Sequence, residues 1–356
     1  MPEPTLVIDP LAFELRATGG VSRVWATVLP RLVDSGLNIR FTSGQGGREA
    51  MAGGLDDAIA GFARGHTIPA GVRRFIPYGG KADLFFPTYF RPCRRGTRNI
   101  QLVHDCLKEM LYPPLKGGLS RLRRGNLYRS ADCLISVSEA TRLDMYRLYG
   151  NSIGDRVRVI HNPVDSQYLS RCVASDTGEE EFSGWLGRID GRPFALYVGH
   201  RPGVKNFVET RHLLAALPEH VLVVIGPAPS VSELTLSADL GGRILYAGPC
   251  ADGLMFKLLN AAQFLFFPSL SEGFGLPVIE SLLLGTPVLA LETQINREVS
   301  RGLITSFECG SVSSIRVAAS SMTPILADHP ARKALAAAYD PAAICDQYVQ
   351  TIQEFL

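Results

Sequence analysis

The chain has 356 residues, too many for one ordinary core, and its 46% apolar and 20% charged residues exclude a disordered or fibrous class. A formal charge of only +2 removes any global case for nucleic-acid binding. The seven cysteines (93, 106, 133, 172, 250, 309 and 345) form no C-x-x-C pair or metal-like cluster, and no apolar run approaches the ~20 residues of a membrane span. Reduced thiols, and no basic-plus-apolar leader before Leu6, set the expected location as the cytoplasm.

In chain order, Leu6–Asp9 reads as a first buried strand. A Gly19-Gly20 turn follows, then an amphipathic helix with Val24, Val28, Leu29 and Leu32 on one side, where Pro30 predicts a kink or break. Residues 38–42 read as the second strand, and 44–80, rich in Gly and Ala, as loop and helix. Short apolar runs at 83–86, 100–104, 133–137 and 157–160 predict four more strands, with a helix over 139–149 ended by Gly150. Between about Leu169 and Arg192 the periodicity fades into Ser, Asp, Gly and the acidic run Glu179–Glu181, which predicts an interdomain linker. The pattern restarts with strands at 194–198, 221–225, 244–247, 264–267 and 288–291, each followed by a helical stretch. This alternation predicts two doubly wound α/β domains, over 1–172 and 190–340, facing across a cleft.

The stretch QFLFFPSLSEGFGLPVIESLLLGTPVLA (263–290) reads as one βαβ unit. Pro277 suits the first helical position, because no N–H is needed there, and Gly285 with Pro287 stops the helix. Ligands of open α/β sheets bind where strand C-termini meet helix N-termini, here the loop 271–276. The N–H groups around Gly273, Phe274 and Gly275 and the positive helix end suit a diphosphate or sugar oxygens. Glu272 in the loop reads alone as a solvated residue, and Glu280, placed in the first helical turn, as an acid favouring the dipole. Arg201 and Lys205, just past a strand, read alone as solvated helix-start cations. His104 at a strand end reads as a satisfied structural histidine, and Ser138 with Glu139 as a helix cap and a first-turn acid.

SEGFGLPVIES resembles, nearly residue for residue, the Glu-x7-Glu signature of retaining glycosyltransferases of the GT-B fold, the large family-4-like group 1 family that includes bacterial polysaccharide mannosyltransferases. YVGHRPGVKNF is similar to the family's VG-x-R…KN block, TGGVSR to its first glycine loop, LVHDC to its HD block and VIHNPVD to its hinge strand end. The resemblance spans most of the chain and implies two Rossmann-like domains, with the terminal helix 341–356 returning to the N-terminal one.

It also implies roles. Glu272 would sit near the donor sugar's hydroxyls and Glu280 on the ribose. Lys205 and Arg201 would contact the diphosphate, and Gly19 and Gly20 would let backbone approach it, with Arg23 nearby. His104 would orient donor sugar or acceptor, whereas Asn162 and Asp165 are structural. His200 stands where many members carry the Arg, so Arg201 matches a subgroup. Gln294-Ile295-Asn296 departs from the family's pattern ahead of Glu298. The donor is a nucleotide-diphosphate hexose, with GDP-mannose preferred. The acceptor is a glycan or a lipid-linked glycan of surface polysaccharide or lipopolysaccharide synthesis, and no metal cofactor is expected.

A hydrolase pair is the chemical rival for the two glutamates. On a helix, eight residues separate them by roughly 12 Å, whereas such pairs need ~5–5.5 Å or at most ~9.5 Å. Other rivals are a catalytically degenerate glycan- or nucleotide-sugar-binding subunit, a bilobal solute-binding protein, and a phosphorylase, which needs a far longer chain. Finally, Arg91 to Arg129 holds ten Lys/Arg against two acids (Asp105, Glu109). Residues 116–129, with Leu119, Leu122, Leu127 and Tyr128, read either as a solvated helix or as a helix lying on an anionic membrane, at the inner face of the cytoplasmic membrane.

Overall fold

A computed structural model describes residues 3–15, 19–42, 68–111 and 114–356. They form two compact units: Met1–Pro163 with Tyr339–Leu356, and Val164–Ala338. The N-terminal unit carries strands β1 (Leu6–Asp9), β2 (Ile39–Phe41), β3 (Leu84–Pro87), β4 (Arg98–Val103), β5 (Cys133–Ser136) and β6 (Val157–Val159). They pair in parallel in the order β2-β1-β3-β4-β5-β6. The C-terminal unit carries β7 (Phe194–Val198), β8 (Val221–Ile225), β9 (Ile244–Gly248), β10 (Phe264–Phe267), β11 (Val288–Leu291) and β12 (Thr305–Phe307). Their order is β12-β11-β10-β7-β8-β9, again all parallel.

Each apolar run read as a strand forms one, within two residues at its ends. The cause is burial on both faces: every residue of β1, β3, β5, β8, β10 and β11 is buried. β12 has no such signal, being three residues with two of them polar. In both sheets the strand order reverses next to the first strand, between β1 and β3 and between β7 and β10. Those two points place the candidate residues.

Three expectations need correction or limits. The helix Gly20–Asp34 runs unbroken through Pro30. Pro30 is exposed, so the Ala26 carbonyl that loses its N–H donor lies toward water. The segment read as a linker forms two helices, Ser166–Ala174 and Glu179–Ile189, within the C-terminal unit. Asp165 caps the first, accepting from the Gln167 and Tyr168 N–H groups, both at 2.9 Å. Glu179 at the start of the second holds Lys257 at 2.6 Å, while Trp185 and Ile189 are buried. Phe182, Trp185, Leu186 and Ile189 do fall at the helical spacing i, i+3, i+4 and i+7, a period hidden among the flanking Ser, Asp, Gly and Glu residues. Of the stretch 44–80, residues 44–67 lie outside those described.

The helix Pro341–Phe355 packs on the helix Gly20–Asp34. Tyr348 is buried with its ring centroid 6.2 Å from Trp25 and 6.3 Å from Phe86, an aromatic group that closes one side of the first sheet.

Candidate functional site

In the C-terminal unit the site is built from the segments that follow β7, β8 and β10. After β7 the chain turns sharply at Gly199, whose carbonyl passes so close to Gly226 that a Cβ there would lie 2.3 Å from it. Only glycine fits at Gly226, which also has φ +154°. The Tyr197 hydroxyl donates to the His200 carbonyl at 2.6 Å and steadies this turn. A short 3₁₀ turn, Gly203–Lys205, follows and ends at Asn206 in the left-handed region (φ 51°). Two contacts tie it down. The Leu270 N–H donates to the Val204 carbonyl at 2.8 Å, and the buried Glu209 accepts from the Gly310 N–H at 3.0 Å and the Cys309 thiol at 3.2 Å.

Lys205 and Glu272 meet as an ion pair, the ammonium about a quarter exposed and the carboxylate one-tenth. Opposite charges from the segments after β7 and β10 therefore lie at the point where strand order reverses. After Glu272, Phe274 is buried, and Gly275, left-handed at φ 92°, opens the helix Leu276–Leu284. Because that helix begins at Leu276, Glu280 is its fifth residue, past the first turn, and only 2% exposed. The reading of Glu280 as a first-turn acid is thus corrected: it lies past the first turn and is buried.

Arg201 is neither solvated nor open. Its guanidinium is buried, bonded through Nε to Glu233 at 2.7 Å and through Nη2 to the carbonyls of Pro227 (2.7 Å) and Ala228 (2.9 Å), while Nη1 is shielded and has no partner. Burial pushes the Glu233 carboxyl up, but Arg201 and the backbone and hydroxyl of Ser230 outweigh it and hold it below its ordinary value. Sequence reading missed Glu233. Its signal was Ser230-x-x-Glu233 ahead of an apolar run, a capping box that the structure forms in full.

In the N-terminal unit, Gly19 is the N-cap of the helix Gly20–Asp34, with φ −89° and ψ 161°. That conformation is open to any residue, so no turn here demands a glycine. Asp9, at the end of β1, is fully buried and receives Arg73, Arg91 and the Thr42 hydroxyl. His104 lies one residue past β4 and hydrogen-bonds to the Thr88 backbone, while its Nε2 is shielded and without a partner. Part of the ring edge is exposed, but both nitrogens are enclosed. Burial lowers its pKa to about 4; Arg124 adds to the fall, and Asp105 and Thr88 oppose it. His104 is therefore neutral at pH 7, with Nε2 an acceptor once the other nitrogen serves the Thr88 carbonyl.

A pH test follows. Between the ordinary value of 6.5 and about 4 the unfolded chain binds a proton that the native chain does not. Stability should fall as pH drops through that window and be flat above it. The urea midpoint of His104→Gln should lose part of the wild-type decline between pH 6.5 and 4; identical curves would contradict a shielded ring.

Other candidates have local places in the fold. Ser138 caps the helix Glu139–Tyr149 by accepting from the Thr141 N–H at 3.0 Å, and Glu139 pairs with Arg142. Asn162 is buried, and Asn296, also buried, donates to the Leu291 carbonyl at 2.8 Å. Among the described residues no helix is long and apolar enough to cross a membrane.

Comparison with known proteins agrees with this geometry. Residues 179–338 match the family described as Glycosyl transferases group 1, and residues 18–168 the one described as Glycosyltransferase Family 4. The chain is similar to a D-inositol 3-phosphate glycosyltransferase of Xylanimonas cellulosilytica, 32% identical over 45% of this chain and 40% of that protein. It is also similar to O-antigen chain mannosyltransferase B of Escherichia coli, 28% identical over 45% and 43%. The match thus spans less than half the length of these relatives. Anabaena HepE, solved with UDP-glucose, superposes with a TM-score of 0.69 at 16% identity, covering 99% of this chain and all of that one. At that identity the likeness shows the fold, which is GT-B: two doubly wound parallel sheets.

Proposed function

We propose, on the premise that the two halves of the chain are domains of Glycosyltransferase Family 4 and of glycosyl transferases group 1, that the protein moves a hexose from a nucleotide-diphosphate sugar to a glycan or lipid-linked acceptor. The observation that carries the reading is the Lys205–Glu272 pair at the β7/β10 reversal, four residues ahead of a helix N-terminus. A free ammonium and the N–H groups of that helix supply positive charge where a diphosphate departs. No metal is assigned a part.

On donor binding, Lys205 turns from Glu272 to a phosphate oxygen, and the Glu272 carboxylate accepts from sugar hydroxyls. Glu280 accepts from the vicinal ribose hydroxyls, for which a carboxylate is the natural acceptor. The bond from the anomeric carbon to the phosphate oxygen breaks with its electron pair on the diphosphate. The acceptor hydroxyl attacks from the same face and gives its proton to the departing oxygen, so configuration is retained. His104 orients donor sugar or acceptor with a ring that is neutral at pH 7, since its pKa is about 4. Arg201 braces the loop that holds these groups rather than touching phosphate.

Within this class, GDP-mannose is the proposed donor and a surface polysaccharide the proposed product. The resemblance to polysaccharide mannosyltransferases and the match to an O-antigen mannosyltransferase support this. Turnover assays with nucleotide hexoses, reading product anomeric configuration by NMR, test the activity against the reading of a degenerate binding subunit. Glu280→Ala should weaken donor affinity roughly 10–100-fold, the value of one or two hydrogen bonds to a charged group, with a smaller effect on turnover at saturation. Unchanged affinity would remove Glu280 from the ribose.

A further inference from the structure

Among the described residues of the N-terminal unit, every exposed large apolar side chain except Met110, on the helix Leu107–Leu111, comes from two short segments: Ile68, Val72, Phe75 and Ile76, and Leu119 and Leu122. The first segment is a single helical turn continued by the Phe75 N–H to Val72 and Ile76 N–H to Arg73 hydrogen bonds. Its inner side is fixed by Ala70 and Arg73, the latter buried against Asp9 and Glu14. The pull of that ion pair leaves Val72 (55% exposed) and Phe75 (46%) outward. The second segment is the helix Pro114–Ser130, where Arg124, Leu127 and Tyr128 face inward and Leu119 (50%) and Leu122 (63%) outward.

Arg123 joins the two, its guanidinium 5.3 Å from the Phe75 ring centre, and Arg74 lies 4.7 Å from the same ring. Lys108 is close enough to Arg74 and Arg124 that, after burial, their charge lowers its pKa. Arg74 and Arg123 form no ion pair with an acid among the described residues, whereas Lys108 also feels the carboxylates of Asp105 and Glu109. This refines the sequence reading of residues 116–129 as the basic face. Arg124 is buried on Glu109 and the Asp105 carbonyl, Arg121 donates to the Leu148 carbonyl, and Lys116 is outside the described side chains.

We infer that this face, Ile68–Ile76 with Leu119, Leu122 and Arg123, docks on the surface of an anionic lipid bilayer. Arg74 and Arg123, without an ion pair among the described residues and interleaved with outward apolar side chains, match anionic headgroups above acyl chains. A soluble polyanion has no use for Val72, Phe75 and Leu122, and a second copy of the chain would set cations against cations. The inference names a surface on which a lipid-linked acceptor would be met, but it stands on this face alone and not on the donor site.

The test is sedimentation of the full chain with vesicles of phosphatidylcholine, or of equal parts phosphatidylcholine and phosphatidylglycerol. The wild type should bind only the mixed vesicles and be released by salt. Arg74→Ser with Arg123→Ser should lower partitioning about 25-fold, since each cation near an anionic surface is worth about fivefold. Val72→Ser, Phe75→Ser and Leu122→Ser combined should lower it as well. Circular dichroism and the donor-induced rise in melting midpoint, unchanged in both variants, separate this result from misfolding and from failure of the donor reading. Phe75→Trp supplies a milder probe, whose emission should shift blue with mixed vesicles only. A wild type left in the supernatant, equal binding to both vesicles, or variants binding as wild type would overturn the inference. So would dextran sulfate binding that the apolar variant leaves intact, which would assign the face to a soluble polyanion.

Discussion

Replacing Lys205 with alanine is expected to lower turnover by roughly 10²–10³-fold, the usual cost of removing one preorganised group from developing negative charge. The fold should feel a smaller loss. The Lys205 side chain is 28% exposed, but that of Glu272 is only 10% exposed and loses its ion-pair partner, which costs about 1–3 kcal/mol. Turnover at saturating donor, set beside a urea unfolding curve, checks both halves of the statement. Glu272→Ala should behave alike, losing turnover more than donor affinity, because a carboxylate beside the donor sugar is attracted most to the positive, oxocarbenium-like charge that the ring gains only during transfer. Full turnover in both variants would contradict the roles assigned to the pair.

Arg201→Met is expected to act the other way, costing about 3–5 kcal/mol of stability in the C-terminal unit. The methionine keeps much of the stem volume, but the Glu233 carboxylate and the carbonyls of Pro227 and Ala228 lose their donor together. Glu233 is also half of the capping box with Ser230, so the start of the helix Val231–Asp239 loosens with it. The urea midpoint of the C-terminal unit should fall sharply. An unchanged midpoint with abolished turnover would instead put the guanidinium on a phosphate, as sequence resemblance alone implies.

That contrast shows what a sequence can and cannot carry. Strands buried on both faces are written as unbroken apolar runs, so FLFF and VLVVI were legible at sight, whereas Thr-Ser-Phe in β12 has nothing to distinguish it from a loop. Glu272 and Glu280 were singled out by the resemblance of SEGFGLPVIES to a family signature, a property of one local string. The depth of Glu280 was not, because it depends on the helix starting after a left-handed Gly275. Arg201 was misjudged because its partner lies 32 residues on, reached only when Gly199 and Gly226 pack together. His104 was legible as a residue at a strand end. Its neutrality was not, since that comes from enclosure beside Thr88 and Arg124. Likewise, counting cations from Arg91 to Arg129 found a basic stretch but could not tell that Arg91 and Arg124 are buried in ion pairs while Arg74, outside it, stacks on Phe75.

The most direct measurement is the melting midpoint of the full chain titrated with UDP-, GDP-, ADP- and dTDP-hexoses. A ligand that binds only the native state stabilises it by about 2.7 kcal/mol at a hundred times its dissociation constant. The account predicts that one of these donors, GDP-mannose first among them, raises the midpoint in a concentration-dependent way, and that the rise shrinks in Glu280→Ala. A midpoint indifferent to all four donors at millimolar concentration would contradict it.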